Sequence, residues 1–231
     1  MSERDWIASW LSTPRWERYL HACGSDATKA LKLYEWNLQL ASAIMHDIAH
    51  IEVAVRNIYD RTIASSFTSN THWLFDPHSP VVRPLLRTRR GKTIDLNTRN
   101  RASIDDAKRR IRSQHPTPGQ VIAELPFGFW RHLTDTAHEK TLWVPYLNRA
   151  FPKGTDRKQV ECRLTLINQV RNRASHHEPL FTSARRNELL KAQHAIVTLA
   201  QLLLPELADH IQTTSIVNET LRFSSRPQES R

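Results

Sequence analysis

The chain has 231 residues, two cysteines and a formal net charge of +10 at pH 7. This length is enough for one substantial hydrophobic core and favours one domain over two. Cys23 and Cys162 lie far apart without a metal-ligand spacing, which excludes a disulfide-rich secreted scaffold and predicts a reduced, cytoplasmic protein. No apolar run approaches the ~20 residues of a membrane span, so we expect no membrane partner.

The strongest helical periodicity lies in the first third of the chain. Two short helices are predicted around Pro14. Asp26 then suits an N-cap, and apolar residues recur at helical spacing from Ala27 to about Ser65 with no Gly or Pro. A helix of this length is typical of a strut in a helical bundle.

Two histidines within this predicted helix resemble part of a zinc site. His46 and His50 lie one turn apart, as in the His-Glu-x-x-His motif of metalloproteases. Asp47 replaces the Glu that would act as the base, and no third ligand stands at a recognisable distance downstream. We therefore predict no metal site and no cofactor, with both histidines on the flank of the helix.

The segment 67–125 interrupts the helical pattern. Three prolines between residues 77 and 84 break it, so we expect a loop-rich insertion with a modest helix over 103–114. Eleven basic and three acidic residues lie in the stretch 83–112, which therefore carries most of the net positive charge. This stretch predicts a phosphate-contacting face, and the alternative is a solvated basic loop that maintains solubility.

Helical patterns return in the second half of the chain. Thr117 suits the cap of a short helix through Leu125, and the aromatic residues that follow are predicted to pack in the core. Asp156 suits the cap of a helix that runs to about Glu178, and another long helix is predicted from about Ser183. Residues 223–231 are predicted to be a disordered tail, which leaves one all-α domain over residues 1–222.

The stretch from Val170 to Pro179 holds the most chemically suggestive side chains. Asn172 and His176 are neighbours one turn apart on a helix, so the amide can orient the imidazole. Arg171 lies beside the apolar stripe, which predicts that its side chain emerges at an interface. A permanent cation, an amide and a group that titrates near neutrality suit phosphodiester chemistry.

The same residues also allow a purely structural interpretation. Arg171, Arg173, His176 and His177 would then interact with the C-terminal dipole of a helix that Pro179 stops. Sequence spacing alone does not separate the two interpretations.

The run from Arg171 to His176 resembles the signature of the Abi-like (abortive infection) branch of the HEPN superfamily. That signature is an Arg, a polar residue that is often Asn, three further residues and a His. Residues 51–57, 125–130 and 150–152 also resemble segments of the family, in the same order, and the likeness covers roughly residues 30 to 212. Here Ala174-Ser175 replaces the more usual branched-apolar-plus-Ala step.

The resemblance implies a HEPN-like antiparallel helical bundle and a metal-independent endoribonuclease of abortive-infection or toxin type. His176 would be the general acid/base, Arg171 would stabilise charge on the phosphate, and Asn172 would orient His176 or the phosphate. His177 and Glu178 would assist. Three residues that match a polar patch of the family are secondary site candidates: Glu52, Arg56 and Asn57.

The resemblance also implies partners. RNA would be the substrate, two copies would form a homodimer with a composite site, and an antitoxin or a phage-derived trigger could control the activity. The residues that we predict to contact RNA are Arg87, Arg89, Arg90, Lys92, Arg109, Arg110, Arg112 and Arg173. The main alternative is a non-catalytic HEPN-like module that binds RNA or a partner protein, and a third possibility is a structural interaction protein.

Overall fold

The computed structural model describes residues 5–222, apart from the side chains of Asp5 and Arg89. The tail predicted for 223–231 lies outside the described residues. The fold is all-α, as predicted, apart from one two-stranded antiparallel sheet among the described residues. Within the described range, none of the helices combines the length and apolar character that a membrane crossing needs.

One long helix forms the centre of the fold. Helices α1 (Asp5–Leu11) and α2 (Thr13–Ala22) precede α3 (Ala27–Ser66), which has 40 residues. Asp26 caps α3, as predicted, because its carboxylate accepts from the backbone N–H of Lys29 at 3.0 Å. The apolar face of α3 is fully buried, and it packs against the later helices α7 and α8.

Those later helices form a helical hairpin on α3. Helix α7 (Arg157–Ser175) begins at the predicted cap Asp156, and α8 (Ser183–Leu203) follows after a short connection. Two shorter helices complete the chain, α9 (Pro205–Thr214) and α10 (Val217–Arg222). The predicted apolar residues of α7 and α8 are buried between these helices and α3.

The insertion contains more regular structure than its sequence predicted. Strands β1 (Leu86–Arg89) and β2 (Lys92–Asp95) form a β-hairpin, with Arg87 opposite Ile94 and Thr88 opposite Thr93. The two turn residues, Arg90 and Gly91, both have positive φ, at 51° and 74°. Such a turn matches the twist of two paired strands, but the strands lack the apolar alternation that would reveal them in the sequence.

The rest of the insertion is helical. Helix α4 (Thr98–Arg110) begins and ends earlier than the predicted 103–114, and α5 (Pro118–Glu124) follows the predicted cap. Helix α6 (Phe127–His132) and three short turns of helix at Thr136–His138, Glu139–Trp143 and Leu147–Ala150 lead to α7. Because Trp73, Leu74 and Val81 are buried, the first part of the insertion packs on the core as well.

A buried polar network joins the insertion to the rest of the protein. The amide nitrogen of Asn97 donates to the carbonyls of Pro80 and Arg83, at 3.0 and 2.7 Å. These bonds fix the orientation of the amide, whose oxygen is an acceptor. That oxygen lies 2.9 Å from Nε2 of His138, whose Nδ1 lies 2.7 Å from the Asp135 carboxylate. Hydrogen bonds therefore occupy both ring nitrogens of a fully buried histidine.

Candidate functional site

Helix α7 ends in two backbone hydrogen bonds that turn the chain sharply. The N–H of His177 donates to the carbonyl of Ala174 at 3.1 Å, and the N–H of Glu178 donates to the carbonyl of Arg173 at 2.9 Å. This pair is the Schellman arrangement, and it puts His177 in the left-handed region with a φ of 53°. Helix α7 therefore ends at Ser175, three residues before the predicted end, because this turn closes it ahead of the proline.

His176 is the first residue beyond the helix, and its side chain is exposed, as is that of Asn172. The hydrogen bond that joins these two residues runs through the backbone, from the N–H of His176 to the carbonyl of Asn172 at 3.1 Å. Arg15 of α2 donates to the carbonyl of His176 at 3.4 Å. The imidazole is thus accessible to a ligand, and a cation that the sequence did not predict as part of the site contacts the backbone of His176.

Arg171 lies at the interface between α7 and α3, as its position beside the apolar stripe predicted. Its Nε is 4.0 Å from Glu52 Oε2, and its side chain retains 34% of its full exposure. Arg56 lies one turn from Glu52 on α3, and the partly buried Asn57 follows it. The Nε atoms of Arg56 and Arg171 are buried without a hydrogen-bond partner among residues 5–222. The structure thus brings the predicted arginine next to two of the secondary candidates.

The electrostatics of this cluster are set by Glu52. Burial raises the pKa of its carboxyl above the ordinary value, and the guanidinium groups of Arg171 and Arg56 offset this only in part. The carboxylate is therefore a weak partner for the two cations. An anionic ligand could therefore compete with Glu52 for the partly exposed side chain of Arg171.

Asn37 is a residue of the site that the sequence analysis missed. It is fully buried in α3, where its amide oxygen accepts from the N–H of Leu180 at 2.6 Å and its amide nitrogen donates to the carbonyl of Glu178 at 3.2 Å. These bonds fix the backbone that follows the α7 turn. The only signal in the sequence is a polar residue on an otherwise apolar face, and that signal does not name its partner.

The comparisons with known proteins cover this region. Residues 8–182 match the model of a family described as Abi-like protein. The chain belongs to the Abi-like family. The match includes α3, α7 and the motif at the end of α7, and it confirms the Abi-like part of the predicted resemblance. A search of curated proteins found no match. A search of solved structures found none either.

In this Abi-like chain, Arg173 has partners within the protein. Its guanidinium pairs with Glu188 of α8, and its Nε lies 3.6 Å from Glu178. Arg185 also bonds Glu188, at 2.8 Å. Burial raises the pKa of Glu188, but the hydrogen bonds from the two arginines outweigh it and leave the pKa below its ordinary value. Arg173, which was predicted to contact RNA, thus holds the end of α7 to α8.

The other predicted RNA contacts lie on the insertion of the Abi-like fold. Arg87, Arg90 and Lys92 are exposed on the hairpin, and the side chain of Arg89 lies outside the described residues. Arg112 is exposed after α4. Arg109 and Arg110 are also exposed, and each forms an ion pair with an acidic residue. Arg109 pairs with Asp106, and Arg110 pairs with Glu124. An ion pair between exposed side chains contributes little stabilising free energy, so both arginines remain available to a polyanion.

One group of potential metal ligands is compact. Within residues 5–222, the ligand atoms of His132, Asp135 and His138 lie within 4.8 Å of one another. His132 Nδ1 is 2.9 Å from the carboxylate of Asp135, which also bonds His138. Burial would raise the pKa of Asp135, but these hydrogen bonds more than offset it and hold the pKa well below its ordinary value. The group is an ionic network that supports the fold, in which Nε2 of His132 is buried without a hydrogen-bond partner among residues 5–222.

A cavity lies beside the backbone that follows the motif. Its volume is about 660 Å³, and α2, the α7–α8 connection and the start of α8 line it. The basic side chains in its wall are Arg18, His21 and Arg185, and the acidic ones are Glu17 and Glu178.

Proposed function

We propose that this protein is a metal-independent endoribonuclease that acts in abortive infection, and that its helices form a HEPN-like bundle. The observation that carries the proposal is the end of α7, where the exposed His176 and the interfacial Arg171 lie within one turn and a half of each other. Membership in the Abi-like family supports the biological role.

In the proposed reaction, the 2′-hydroxyl of RNA attacks the adjacent phosphorus and the bond to the 5′ oxygen breaks. The products are a 2′,3′-cyclic phosphate and a 5′-hydroxyl end. His176 removes the 2′ proton or delivers a proton to the leaving oxygen, and Arg171 stabilises the charge that develops on the phosphate oxygens. Asn172 orients His176 or the phosphate.

One imidazole cannot act as base and acid in the same step, so the proposal includes a homodimer. The second copy of His176 then supplies the other proton transfer across a composite site. The partly exposed side chain of Arg171 supports an anion at this position. Control by an antitoxin or a phage-derived trigger remains part of the proposal.

The charge of the protein supports RNA as the substrate. The net charge is +10, and exposed cations cluster on the hairpin and the end of α4. A face of this kind binds phosphate groups by releasing counterions, independently of base sequence. RNA contacts on the insertion would increase the binding affinity, and the residues at the end of α7 would cleave the RNA.

The test is cleavage of total cellular RNA by the purified full chain, with and without EDTA. We expect EDTA-resistant cleavage that falls by about 10²-fold or more in His176→Ala, because general acid–base catalysis contributes on that scale. Arg171→Ala should lose cleavage as well. His194→Ala, which removes an exposed histidine from α8, is the matched control and should cleave like the wild type. Cleavage that EDTA abolishes, or that His176→Ala retains, contradicts the proposal.

The second candidate is a module that binds RNA or a partner protein without cutting. The proximity of Arg171 to Glu52 favours it, because an arginine held near a carboxylate is less free to reach a phosphate. Saturable RNA binding without cleavage by a folded, dimeric wild type would support this alternative.

A further inference from the structure

The cavity beside the α7–α8 connection has three polar side chains that form no bonds within the protein. Glu17, Arg18 and His21 of α2 line it, and all three are exposed. Within the range 5–222, none of these side chains forms a hydrogen bond or an ion pair. The α2 side of the cavity therefore keeps its donors and acceptors for a ligand.

The charged side chains on the other side of the cavity already have partners. Arg185 bonds Glu188 at 2.8 Å, and Oε2 of Glu178 lies 3.6 Å from Nε of Arg173. The carboxylate and the guanidinium that a ligand can engage without competing with an ion pair are thus both on α2.

An aromatic ring forms another part of the wall. Phe181 lines the cavity, and its ring centre lies 5.1 Å from that of the fully buried Tyr19. Asn37 holds the backbone just before this ring, through its bonds to residues 178 and 180. An aromatic side chain that is fixed in this way is suited to stacking a planar base.

We propose that this cavity binds the guanine base of a single-stranded RNA that lies across the end of α7. The inference rests on the proposed function, and it adds a preference for guanosine beside the scissile bond. The volume of about 660 Å³ falls within the range of ~300–1,000 Å³ that is usual for ligand pockets. The wall includes Glu178, which is two residues from His176 and so at most about 7 Å away between Cα atoms.

Guanine is the base whose edge fits the two free charged side chains. Along this edge it presents two neighbouring donors, on N2 and N1, followed by two acceptors, O6 and N7. A carboxylate accepts from two adjacent N–H groups, and an arginine donates to O6 and N7. In the complex, Glu17 accepts from N1 and N2, and Arg18 donates to O6 and N7. Adenine, cytosine and uracil lack two neighbouring ring and amino donors on this edge.

The test measures binding of short oligonucleotides whose 2′-hydroxyls are all methylated, so that 2′-hydroxyl attack cannot cleave them. Two labelled oligouridines, one with a central guanosine and one with a central adenosine, are titrated with the purified full chain and followed by fluorescence anisotropy. The wild type should bind the guanosine strand at least about fivefold more tightly, because a bidentate contact discriminates between bases on this scale. Glu17→Gln should bind both strands with equal affinity. Glu35→Gln, which changes an exposed glutamate outside the cavity, should keep the wild-type preference.

A second variant tests the aromatic wall. Phe181→Leu keeps an apolar side chain against Tyr19 but removes the ring, so its affinity for the guanosine strand should fall about fivefold or more. Circular dichroism checks that the variant is folded. A folded Phe181→Leu with wild-type affinity for this strand would contradict a stacked base in the cavity.

Two further results would overturn the proposal. The first is equal binding of the two strands by the wild type, including the case in which free guanosine 5′-monophosphate still binds, since the cavity would then serve a free nucleotide. The second is a folded Glu17→Gln variant that keeps the guanosine preference. Because these strands cannot be cleaved, the two proposals can fail separately. Guanosine preference without cleavage of cellular RNA contradicts only the nuclease, and cleavage without this preference contradicts only the guanine site.

Discussion

Two histidine clusters in this protein combine similar residue types with opposite surroundings. His138 is fully buried, and Asp135 and Asn97 occupy both of its ring nitrogens. His176 is exposed at the end of α7, and its backbone rather than its ring makes the bonds that fix its position. A buried polar group must have its partners within the protein, whereas an exposed one keeps its bonding capacity for a ligand. Burial and hydrogen bonding thus separate a supporting histidine from a functional candidate.

The largest expected effect tests this contrast directly. His138→Ala should lower the free energy of unfolding by roughly 3–4 kcal/mol, because it removes two buried hydrogen bonds, leaves a cavity and takes one of two imidazoles away from the Asp135 carboxylate. His176→Ala should change it by no more than about 0.5 kcal/mol. Urea unfolding followed by far-ultraviolet circular dichroism measures both values. Equal decreases in the free energy of unfolding of the two variants would show that burial does not separate the supporting His138 from the exposed His176.

A smaller effect is expected where the buried and exposed regions meet. Asn37→Ala removes both hydrogen bonds that hold residues 178 and 180, and it leaves the buried N–H of Leu180 without a partner. We expect the free energy of unfolding to fall by about 2 kcal/mol and the backbone amide of Leu180 to exchange its hydrogen faster. Gln39→Ala changes an exposed neighbour on the same helix and is the control. Unchanged exchange at Leu180 would show that Asn37 does not fix the motif backbone.

The smallest effect concerns Glu52, which lies between the two extremes of burial. In the folded protein the pKa of the Glu52 carboxyl is raised above its unfolded value of ~4.3, so the native state holds this proton more tightly than the unfolded state does. The free energy of unfolding therefore falls as the pH rises from the unfolded pKa through the folded pKa. Glu52→Gln removes that loss. At pH 7 the free energy of unfolding of the variant should equal that of the wild type or exceed it by less than about 1 kcal/mol. Below pH 4 the two values should be the same.

Urea midpoints at both pH values measure this difference, with the exposed Glu35→Gln on the same helix as the control. A variant that is much less stable than the wild type at pH 7 would show that the attraction between Glu52 and the two arginines outweighs the cost of burying the carboxylate. In that case Arg171 would be a structural partner of Glu52, and the site would lose its available cation.

Local chemistry made much of the fold predictable. Asp26, Thr117 and Asp156 each cap a helix through a side-chain oxygen that accepts from a backbone N–H two or three residues ahead. Such bonds depend only on nearby residues. Helices α3 and α8 likewise follow from apolar periodicity. The hairpin was missed because its strands are polar and exposed, and the end of α7 was misplaced because the left-handed residue of its turn is a histidine, where glycine is usual.

The sequence by itself determined the helical class, the cap residues, the family and the residue types of the candidate site. Tertiary structure alone decided which of those residues meet: Arg171 with Glu52, and Asn37 with the chain after the motif. Helical spacing relates residues within about one turn, and it carries no information on partners more than a hundred residues away. Those partners are chosen by packing, because buried apolar faces fix which helices touch and so which polar side chains share a surface.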